Sequence, residues 1–257
     1  MSTSFQKFKK LHHQEKPLLI GNVWNSQSAS IFEKLNFSAI ATSSAAVAES
    51  LGYSDGEEMD FDEYLFVVKH IAHSTSLPLS VDLEAGYGKN PKEIVKNINQ
   101  LHAIGIVGIN LEDSKVRDGK RSIVDESVFA ELVREITEEL DSSKTEMFIN
   151  VRCDTFLLGI PDALSVAQQR IKAYEKTGAH GLFFPCITKL EDIVAVTKST
   201  SLPINVMCMP GLPDFNALST AGVKRISMGN FLNKGVYQNL ESSLTRILND
   251  KKFDSLF

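Results

Sequence analysis

The fold is constrained most by a regular alternation of short apolar runs and amphipathic segments along the chain. Eight apolar runs of four to seven residues have the length and the Val, Ile and Leu content of buried strands. The segments between them repeat apolar residues at helical spacing, and Pro91 and Pro161 stand where a first helical turn tolerates proline. This alternation indicates parallel βα units, and eight strands predict an α/β fold of the (β/α)8 TIM-barrel type. The predicted strands are 17–23, 38–42, 77–82, 107–112, 146–152, 181–185, 204–207 and 223–227, and the clearest predicted helices are 91–103, 125–139, 160–176 and 189–198.

Length and composition fit a single large core. A chain of 257 residues with 43% hydrophobic residues has the size of a one-domain α/β barrel, so we predict one domain over 1–257 with a helical segment at 231–257. A net charge of −5 offers no basic footprint for nucleic acid, and no apolar run approaches the roughly 20 residues of a membrane span. Three cysteines without metal-site spacing fit reduced thiols. We therefore expect a cytoplasmic protein that binds neither nucleic acid nor membranes.

The strand at 77–82 ends in two carboxylates and a glycine-rich turn. Residues two apart on a strand point the same way, so Asp82 and Glu84 are expected to project together from its carboxyl end. Two like charges held close together repel unless a cation or a proton lies between them. Mg²⁺ prefers oxygen ligands and usually keeps several waters. The stretch therefore predicts a magnesium site, with two acids on a solvated loop as the alternative reading.

Polar side chains follow most of the other predicted strands. Barrel active sites gather at the carboxyl ends of the strands, so these side chains are expected to share one mouth. The small residues at 42–46 could bring backbone N–H groups to an anion. Several acids around one arginine indicate a metal ion together with a clamp for a carboxylate or phosphate. The strand-end residues are Asp82, Glu84, Glu112, Asp113, Arg152, Asp154, Asn205, Ser227 and Asn230.

Six motifs follow one another along the chain: GNVWN at 21–25, ATSSA at 41–45, LGYSDG at 51–56, DLEAGYG at 82–88, GINLEDS at 108–114 and VRCD at 151–154. Taken together and in this order, they resemble the isocitrate lyase and phosphoenolpyruvate mutase superfamily. The resemblance implies a (β/α)8 barrel that binds Mg²⁺, with Mn²⁺ as the alternative, and a small α-oxo or α-hydroxy carboxylate. It further implies bond cleavage or formation next to that group through an enolate-like intermediate, and a homotetramer, a dimer of dimers, whose last helices are exchanged between paired subunits.

The resemblance also implies roles for single residues. Asp82 matches the direct metal ligand, and Glu84 and Glu112 match the residues that hold metal-bound waters. Arg152 matches the arginine that binds the oxygen atoms of the substrate, where it and Mg²⁺ would stabilise negative charge developing on the α-oxygen. The residues expected to bind substrate are Ser43, Ser44, Ala45, Asp55, Arg152, Asn205 and Ser227.

The segment after the fourth predicted strand departs from the superfamily. Lyase members carry a cysteine there as proton donor and mutase members an asparagine, whereas this chain has KVRDGKRS at 115–122 and no Cys, His or Asn between Leu111 and Ile149. We predict that 115–122 is a loop that closes over the substrate, with Gly119 as hinge. Lys120 or Arg121 would then meet a distal anionic group, which places both beside Arg152 and Glu112 among the candidate catalytic residues.

The predicted function is a Mg²⁺-dependent lyase that cleaves a C–C bond next to an α-oxo or α-hydroxy carboxylate. The alternatives are a hydrolase of an oxo-diacid such as oxaloacetate, a hydrolase or phosphomutase acting on a P–C bond, and a non-catalytic homologue that only binds carboxylates.

The segment at 231–250 carries an apolar stripe at helical spacing, formed by Leu232, Val236, Leu240, Leu244 and Ile247. Packing of this helix against its own barrel is the preferred interpretation. Exchange between subunits is the one implied by the resemblance.

Overall fold

Eight parallel strands close into a barrel in the computed structural model of the chain, which describes residues 3–257. Around the barrel each strand pairs with its neighbours in chain order, and the last strand pairs with the first, Ile20 lying opposite Ser227. The predicted fold and all eight predicted strands are confirmed, with strand ends that differ by at most two residues. The barrel strands are β1 (Leu18–Val23), β2 (Ile40–Thr42), β3 (Leu79–Asp82), β4 (Gly108–Glu112), β7 (Phe148–Arg152), β8 (Gly181–Phe184), β9 (Ile204–Met207) and β10 (Arg225–Ser227).

Helices connect successive strands and cover the barrel. Several begin at side-chain caps that the sequence provides, such as Asn90 before Pro91, where the Asn90 side chain accepts a hydrogen bond from Glu93 N. The helix predicted at 160–176 begins later than expected, because Asp162 adopts a left-handed conformation with φ 51°. Pro161 therefore precedes the helix instead of starting it. The helices are α1 (Ser4–Leu11), α2 (Ser26–Lys34), α3 (Ser44–Leu51), α4 (Phe61–His73), α5 (Pro91–Ala103), α6 (Glu126–Ser142), α7 (Ala163–Tyr174), α8 (Leu190–Lys198), α9 (Phe215–Thr220) and α10 (Phe231–Asp250).

Helix α1 closes the amino-terminal end of the barrel. Phe8 is fully buried and meets Phe148 edge to face at 5.4 Å, and the His12 ring stacks on the same Phe148 at 4.2 Å. Edge-to-face and offset aromatic pairs of this kind add to the stabilisation from buried area. Because this end is plugged by side chains, the barrel opens at the carboxyl ends of its strands.

The predicted lid loop at 115–122 is a β-hairpin. Strands β5 (Ser114–Arg117) and β6 (Lys120–Ile123) pair antiparallel, with Arg117 opposite Lys120. Asp118 and Gly119 both have positive φ, 51° and 70°, which is the conformation of a two-residue hairpin turn that Asp-Gly favours. The segment predicted as a loop thus forms two short strands with Gly119 in their turn, and its closure over a substrate stays a prediction.

The apolar stripe of α10 does not pack on the barrel. Val236, Leu240 and Leu244 are 53%, 52% and 50% exposed, although the helix has the predicted bounds. The preferred interpretation, packing against its own barrel, was therefore wrong: the stripe faces away from the core. Within residues 3–257 no helix combines the length and apolar character needed to cross a membrane.

Candidate active site at the barrel mouth

A cavity of about 250 Å³ opens at the carboxyl ends of the strands. Most of the predicted site residues line this main cavity, including Ser43, Ser44, Ala45, Asp55, Asp82, Arg121, Arg152, Ser227 and Asn230. Six others do not. Glu84 and Glu112 line a smaller neighbouring cavity, Lys120 is exposed on the hairpin, and Asp113, Asp154 and Asn205 are buried.

Asp82 is held at the end of β3 by a ring of three hydrogen bonds. Its backbone N–H donates to Thr42 Oγ1 at 2.9 Å, Tyr64 Oη donates to the Asp82 carbonyl oxygen at 3.0 Å, and the two hydroxyls lie 2.7 Å apart. The Asp82 carboxylate accepts hydrogen bonds from Ser44 Oγ at 2.8 Å and Asn110 Nδ2 at 3.2 Å. No cation within residues 3–257 forms an ion pair with it. A fixed carboxylate without a counter-ion thus faces the cavity.

The two arginines of the mouth are surrounded by carboxylates. Arg152 Nε donates to Asp154 Oδ1 at 2.6 Å, and its Nη1 lies 2.9 Å from Glu112 Oε2. Arg121 extends from β6 to pair with Glu112 and with Asp55, at 3.1 Å from Asp55 Oδ2. Both side chains are largely buried, 15% exposed for Arg121 and 11% for Arg152. These partly desolvated pairs fix both guanidinium groups.

The pleat of the hairpin explains why only one of its two predicted residues reaches the site. Successive side chains on a strand point to opposite sides, so Arg121 turns inward and the adjacent Lys120 turns to solvent. Of the two alternatives named from the sequence, the structure brings Arg121 alone to the mouth. Its partners there are carboxylates of the protein.

Glu84 does not project together with Asp82 as expected, because strand β3 ends at Asp82 and Glu84 has a positive φ of 52°. It lines the smaller neighbouring cavity instead. Its carboxylate accepts hydrogen bonds from Tyr87 Oη at 2.6 Å and from Glu57 N at 3.0 Å. Burial, followed by the nearby carboxylate of Asp55, raises the pKa of Glu84 to about 8. Burial also raises the pKa of Glu112, although Arg152 opposes the shift. Both shifts come first from burial, and the neighbouring carboxylates add to them.

The first turn of α3 presents backbone donors to the same cavity. Ser43 caps the helix, its Oγ accepting from Ala46 N at 3.4 Å. The N–H groups of Ser44 and Ala45 have no acceptor within residues 3–257. Unpaired amides at the positive end of a helix attract anions. This agrees with the predicted carboxylate-binding role of 43–45.

The donor set fits a divalent cation that keeps most of its water. Within residues 3–257, no three His, Cys, Asp or Glu side chains converge closely enough to enclose a metal. Mg²⁺, however, is commonly bound through one or two carboxylates and several waters. Asp82, unpaired and facing the cavity, meets this requirement as a direct ligand. Asp55 and Glu112 already pair with arginines, so they would contact a cation only through its waters.

Several lining residues were not identified from the sequence. Asn22 Oδ1 accepts from Met228 N at 2.7 Å and Gly229 N at 3.0 Å, which ties β1 to the end of β10. Strand periodicity could have found Asn110, which lies two residues before Glu112 at the end of β4. The apolar wall of the main cavity had no comparable signal: it is formed by Leu157, Phe183, Pro185 and Met207.

Comparison with known proteins agrees with this architecture. Residues 8–248 match the family model described as phosphoenolpyruvate phosphomutase. A Mycobacterium tuberculosis protein of uncharacterised function is 30% identical over 87% of this chain and 81% of its own length. The 2-methylisocitrate lyase of Escherichia coli is 29% identical over 77% of this chain and 67% of its own length.

Solved structures extend the likeness to the fold. A Burkholderia cenocepacia protein provisionally described as a phosphonomutase is 33% identical, with a TM-score of 0.88 over 94% of this chain and 99% of that one. A phosphonopyruvate hydrolase solved with oxalate and Mg²⁺ has a TM-score of 0.85 at 20% identity, covering 98% of this chain and 89% of that one, and so shows the fold alone. With its barrel, its acidic mouth and a family match over nearly its whole length, this chain belongs to the phosphoenolpyruvate phosphomutase family, within the isocitrate lyase and phosphoenolpyruvate mutase superfamily.

Proposed function

We propose that the protein is a Mg²⁺-dependent lyase that cleaves a C–C bond next to an α-oxo or α-hydroxy carboxylate, through an enolate-like intermediate. The observation that carries the proposal is the arrangement of one cavity. It combines an unpaired carboxylate, Asp82, with the free amides of Ser44 and Ala45 and the guanidinium of Arg152. Mn²⁺ would occupy the same oxygen-rich site.

Each part of the cavity has a chemical task in this proposal. The amides of Ser44 and Ala45 bind the substrate carboxylate at the positive end of α3. Arg152, held in place by Asp154 and Glu112, binds the α-oxygen and stabilises the charge that develops there as the bond breaks. When bound at Asp82, a divalent cation supplies Lewis-acid polarisation of that oxygen.

The remaining predicted catalytic residues divide into two groups. Arg121 and Glu112 stay in the proposal because both contact the charge network around Arg152. Lys120 is exposed and does not line the main cavity, so no role at the bond-breaking step is assigned to it. Glu84 keeps its predicted role near the metal only through water, since both of its oxygens are engaged by Tyr87 and Glu57.

The alternative functions would use the same metal site and the same site for the substrate carboxylate. They are hydrolysis of an oxo-diacid, P–C bond chemistry, and ligand binding without turnover. C–C cleavage is preferred because the relatives with named activities include 2-methylisocitrate lyases. The protein is also proposed to be a homo-oligomer, a dimer of dimers, through the exposed stripe of α10, and to act in the cytoplasm, in keeping with its three free cysteines.

A turnover screen tests the proposed reaction. Protein with Mg²⁺ is incubated with 2-methylisocitrate, isocitrate, 2,3-dimethylmalate, oxaloacetate and phosphonopyruvate, and products are identified by proton NMR. We expect one carbon–carbon cleavage product that disappears in Asp82→Ala and persists in the control Asp250→Ala, an exposed acid at the end of α10. Cleavage of phosphonopyruvate alone, hydrolysis of oxaloacetate to oxalate and acetate, or oxalate binding without any turnover would contradict the lyase assignment.

A further inference from the structure

The direction in which Arg152 points depends on two carboxylates that are supported differently. Asp154 accepts from Arg152 Nε at 2.6 Å and from its Nη2 at 3.2 Å, a two-point pair that fixes the plane of the guanidinium. Glu112 pairs with Nη1 from within β4, where the strand itself holds it. Asp154 lies two residues beyond the end of β7, so its position requires a contact outside the strand.

Asp113 supplies that contact. The backbone N–H of Asp154 donates to Asp113 Oδ1 at 2.8 Å, and the backbone N–H of Asp113 donates to the Arg152 carbonyl oxygen at 3.0 Å. The paired register of β4 and β7 ends at Glu112 and Arg152. The carboxylate of Asp113 therefore continues the connection between the two chains past their last strand residues and sets the position of Asp154.

The other oxygen of Asp113 is held from outside the barrel by two residues of helix α7. Asp113 Oδ2 accepts from Tyr174 Oη at 2.8 Å and from Arg170 Nη1 at 3.0 Å. Arg170 Nη1 also donates to Tyr174 Oη at 2.8 Å, and all three side chains are buried. A buried ion pair contributes little net stability compared with apolar side chains of the same volume. Its contribution is therefore expected in the geometry that it fixes.

The same group of residues holds the base of the hairpin that carries Arg121. Arg170 Nη2 donates to the carbonyl oxygen of Val124, the residue that follows β6, at 2.7 Å. The backbone N–H of Val124 donates to the Asp113 carbonyl oxygen at 2.8 Å. Arg170 and Asp113 thus fix the hairpin and Asp154 relative to each other.

We propose that Tyr174 and Arg170 are positioning residues of the reaction. They act through Asp113 and Asp154 to orient Arg152 towards the α-oxygen of the substrate. This inference rests on the proposed function, because it takes the α-oxygen as the group that Arg152 binds. Neither Tyr174 nor Arg170 lines the main cavity. Removal of the Tyr174 hydroxyl, outside the cavity, is therefore predicted to weaken the binding of a ligand inside it.

Oxalate binding at saturating Mg²⁺, measured by calorimetry, tests this series of contacts. Tyr174→Phe keeps the buried ring and removes one hydrogen bond to a carboxylate, and we expect oxalate to bind about fivefold more weakly. The Mg²⁺ affinity should stay at the wild-type value, because Asp82 takes no part in these contacts. The control Phe129→Leu changes the packing on the Tyr174 ring, 5.3 Å away, and should bind oxalate as the wild type does. An equal loss in both variants would overturn the inference, because looser packing alone would then explain it.

A double variant separates positioning from a purely structural role. In the Arg152→Lys background the ammonium group cannot form the two-point pair with Asp154, so Tyr174→Phe should no longer change oxalate affinity. Asp113→Asn is measured in parallel, so that the test does not depend on one variant folding. It keeps an acceptor for Asp154 N but replaces the oxygen that Tyr174 holds, and we expect the same loss, again absent in Arg152→Lys. The same loss in both backgrounds would show that the effect does not pass through Arg152.

Failure of the proposed function gives a different result. Oxalate would then not bind the wild-type protein with Mg²⁺, or Arg152→Lys would bind it as tightly as the wild type does. If the wild type binds oxalate and Arg152→Lys binds it more weakly, the role of Arg152 stands. Unchanged oxalate affinity in both Tyr174→Phe and Asp113→Asn would, in that case, contradict the positioning role alone.

Discussion

At the scale of single residues, the acidic mouth depends on two tyrosines that lie outside the barrel. Tyr64 of α4 completes the hydrogen-bond ring that fixes Asp82, and Tyr87 donates to Glu84. The two rings stack at 5.6 Å with planes 22° apart. The tyrosine pair therefore positions Asp82 through its backbone and Glu84 through its carboxylate.

Removal of one hydroxyl tests this positioning. Tyr64→Phe keeps the buried ring but leaves the Asp82 carbonyl oxygen and the Thr42 hydroxyl short of a partner, a loss of about 1 kcal/mol. We expect Mg²⁺ affinity, measured by calorimetry, to fall about fivefold. The control Tyr53→Phe removes a hydroxyl that bonds to the exposed Glu63 and should bind Mg²⁺ as the wild type does. Unchanged Mg²⁺ affinity in Tyr64→Phe would show that the ring of hydrogen bonds does not position Asp82.

The sequence predicted the residues of the mouth better than their contacts. Alternation along β3 and the polar strand ends were enough to place Asp82 and Arg152, because the carboxyl ends of parallel strands must meet. Tyr64 and the apolar wall were missed, since each contributes through a contact between segments far apart in the chain. The inward direction of Arg121 was also not predicted. It depends on the hairpin that the Asp118-Gly119 turn specifies.

At the scale of secondary-structure elements, α1 links stability to pH. His12, at the end of this helix, is 1% exposed and stacks on Phe148. Burial, followed by the charge of Arg225, lowers the pKa of His12 from 6.5 to about 3. Between these values the unfolded chain binds a proton that the folded protein excludes. The stability that His12 contributes is thus fully present above pH 6.5 and is lost as the pH falls towards 3.

Replacement of this histidine should make the protein less sensitive to acid. The binding of one proton to the unfolded chain changes the free energy of unfolding by at most about 1.4 kcal/mol per pH unit. In urea unfolding between pH 6.5 and 4.5, we expect His12→Phe to show a shallower fall in the free energy of unfolding than the wild type. His73→Gln, at an exposed position of α4, should keep the wild-type slope. Parallel slopes for His12→Phe and the wild type would refute the linkage.

Helix α10 has an apolar surface that no part of its own barrel covers. Its apolar stripe is about half exposed along the helix, and an extended apolar surface of this kind marks an interface. We expect Leu240→Asp/Leu244→Asp to lower the mass measured by light scattering, while the circular dichroism of the barrel stays unchanged. Thr245→Asp adds a charge beside the stripe and serves as the control. A monomeric wild type, or an unaltered mass in the double variant, would exclude this interface.

At the scale of the whole molecule, the fold was predictable because barrel closure is specified many times over. Eight apolar runs, each followed by a helical segment, leave few other parallel arrangements. The packing of α10 was not predictable in the same way. An apolar stripe indicates that the helix packs against a partner, but the pattern does not show whether that partner lies in the same chain. The charged groups of the mouth likewise meet only in the folded barrel, because they come from β3, β4, β6, β7 and the connection between α3 and α4.

The central claim is that Asp82 and a divalent cation create the site for an α-oxo carboxylate. The most direct measurement is calorimetric titration of oxalate into the wild type and Asp82→Asn, each with Mg²⁺ and with EDTA. The account predicts binding to the wild type only with Mg²⁺, and affinity at least about 100-fold weaker in Asp82→Asn, because the variant removes the one direct ligand charge. Oxalate binding that is independent of Mg²⁺, or undiminished in Asp82→Asn, would contradict it.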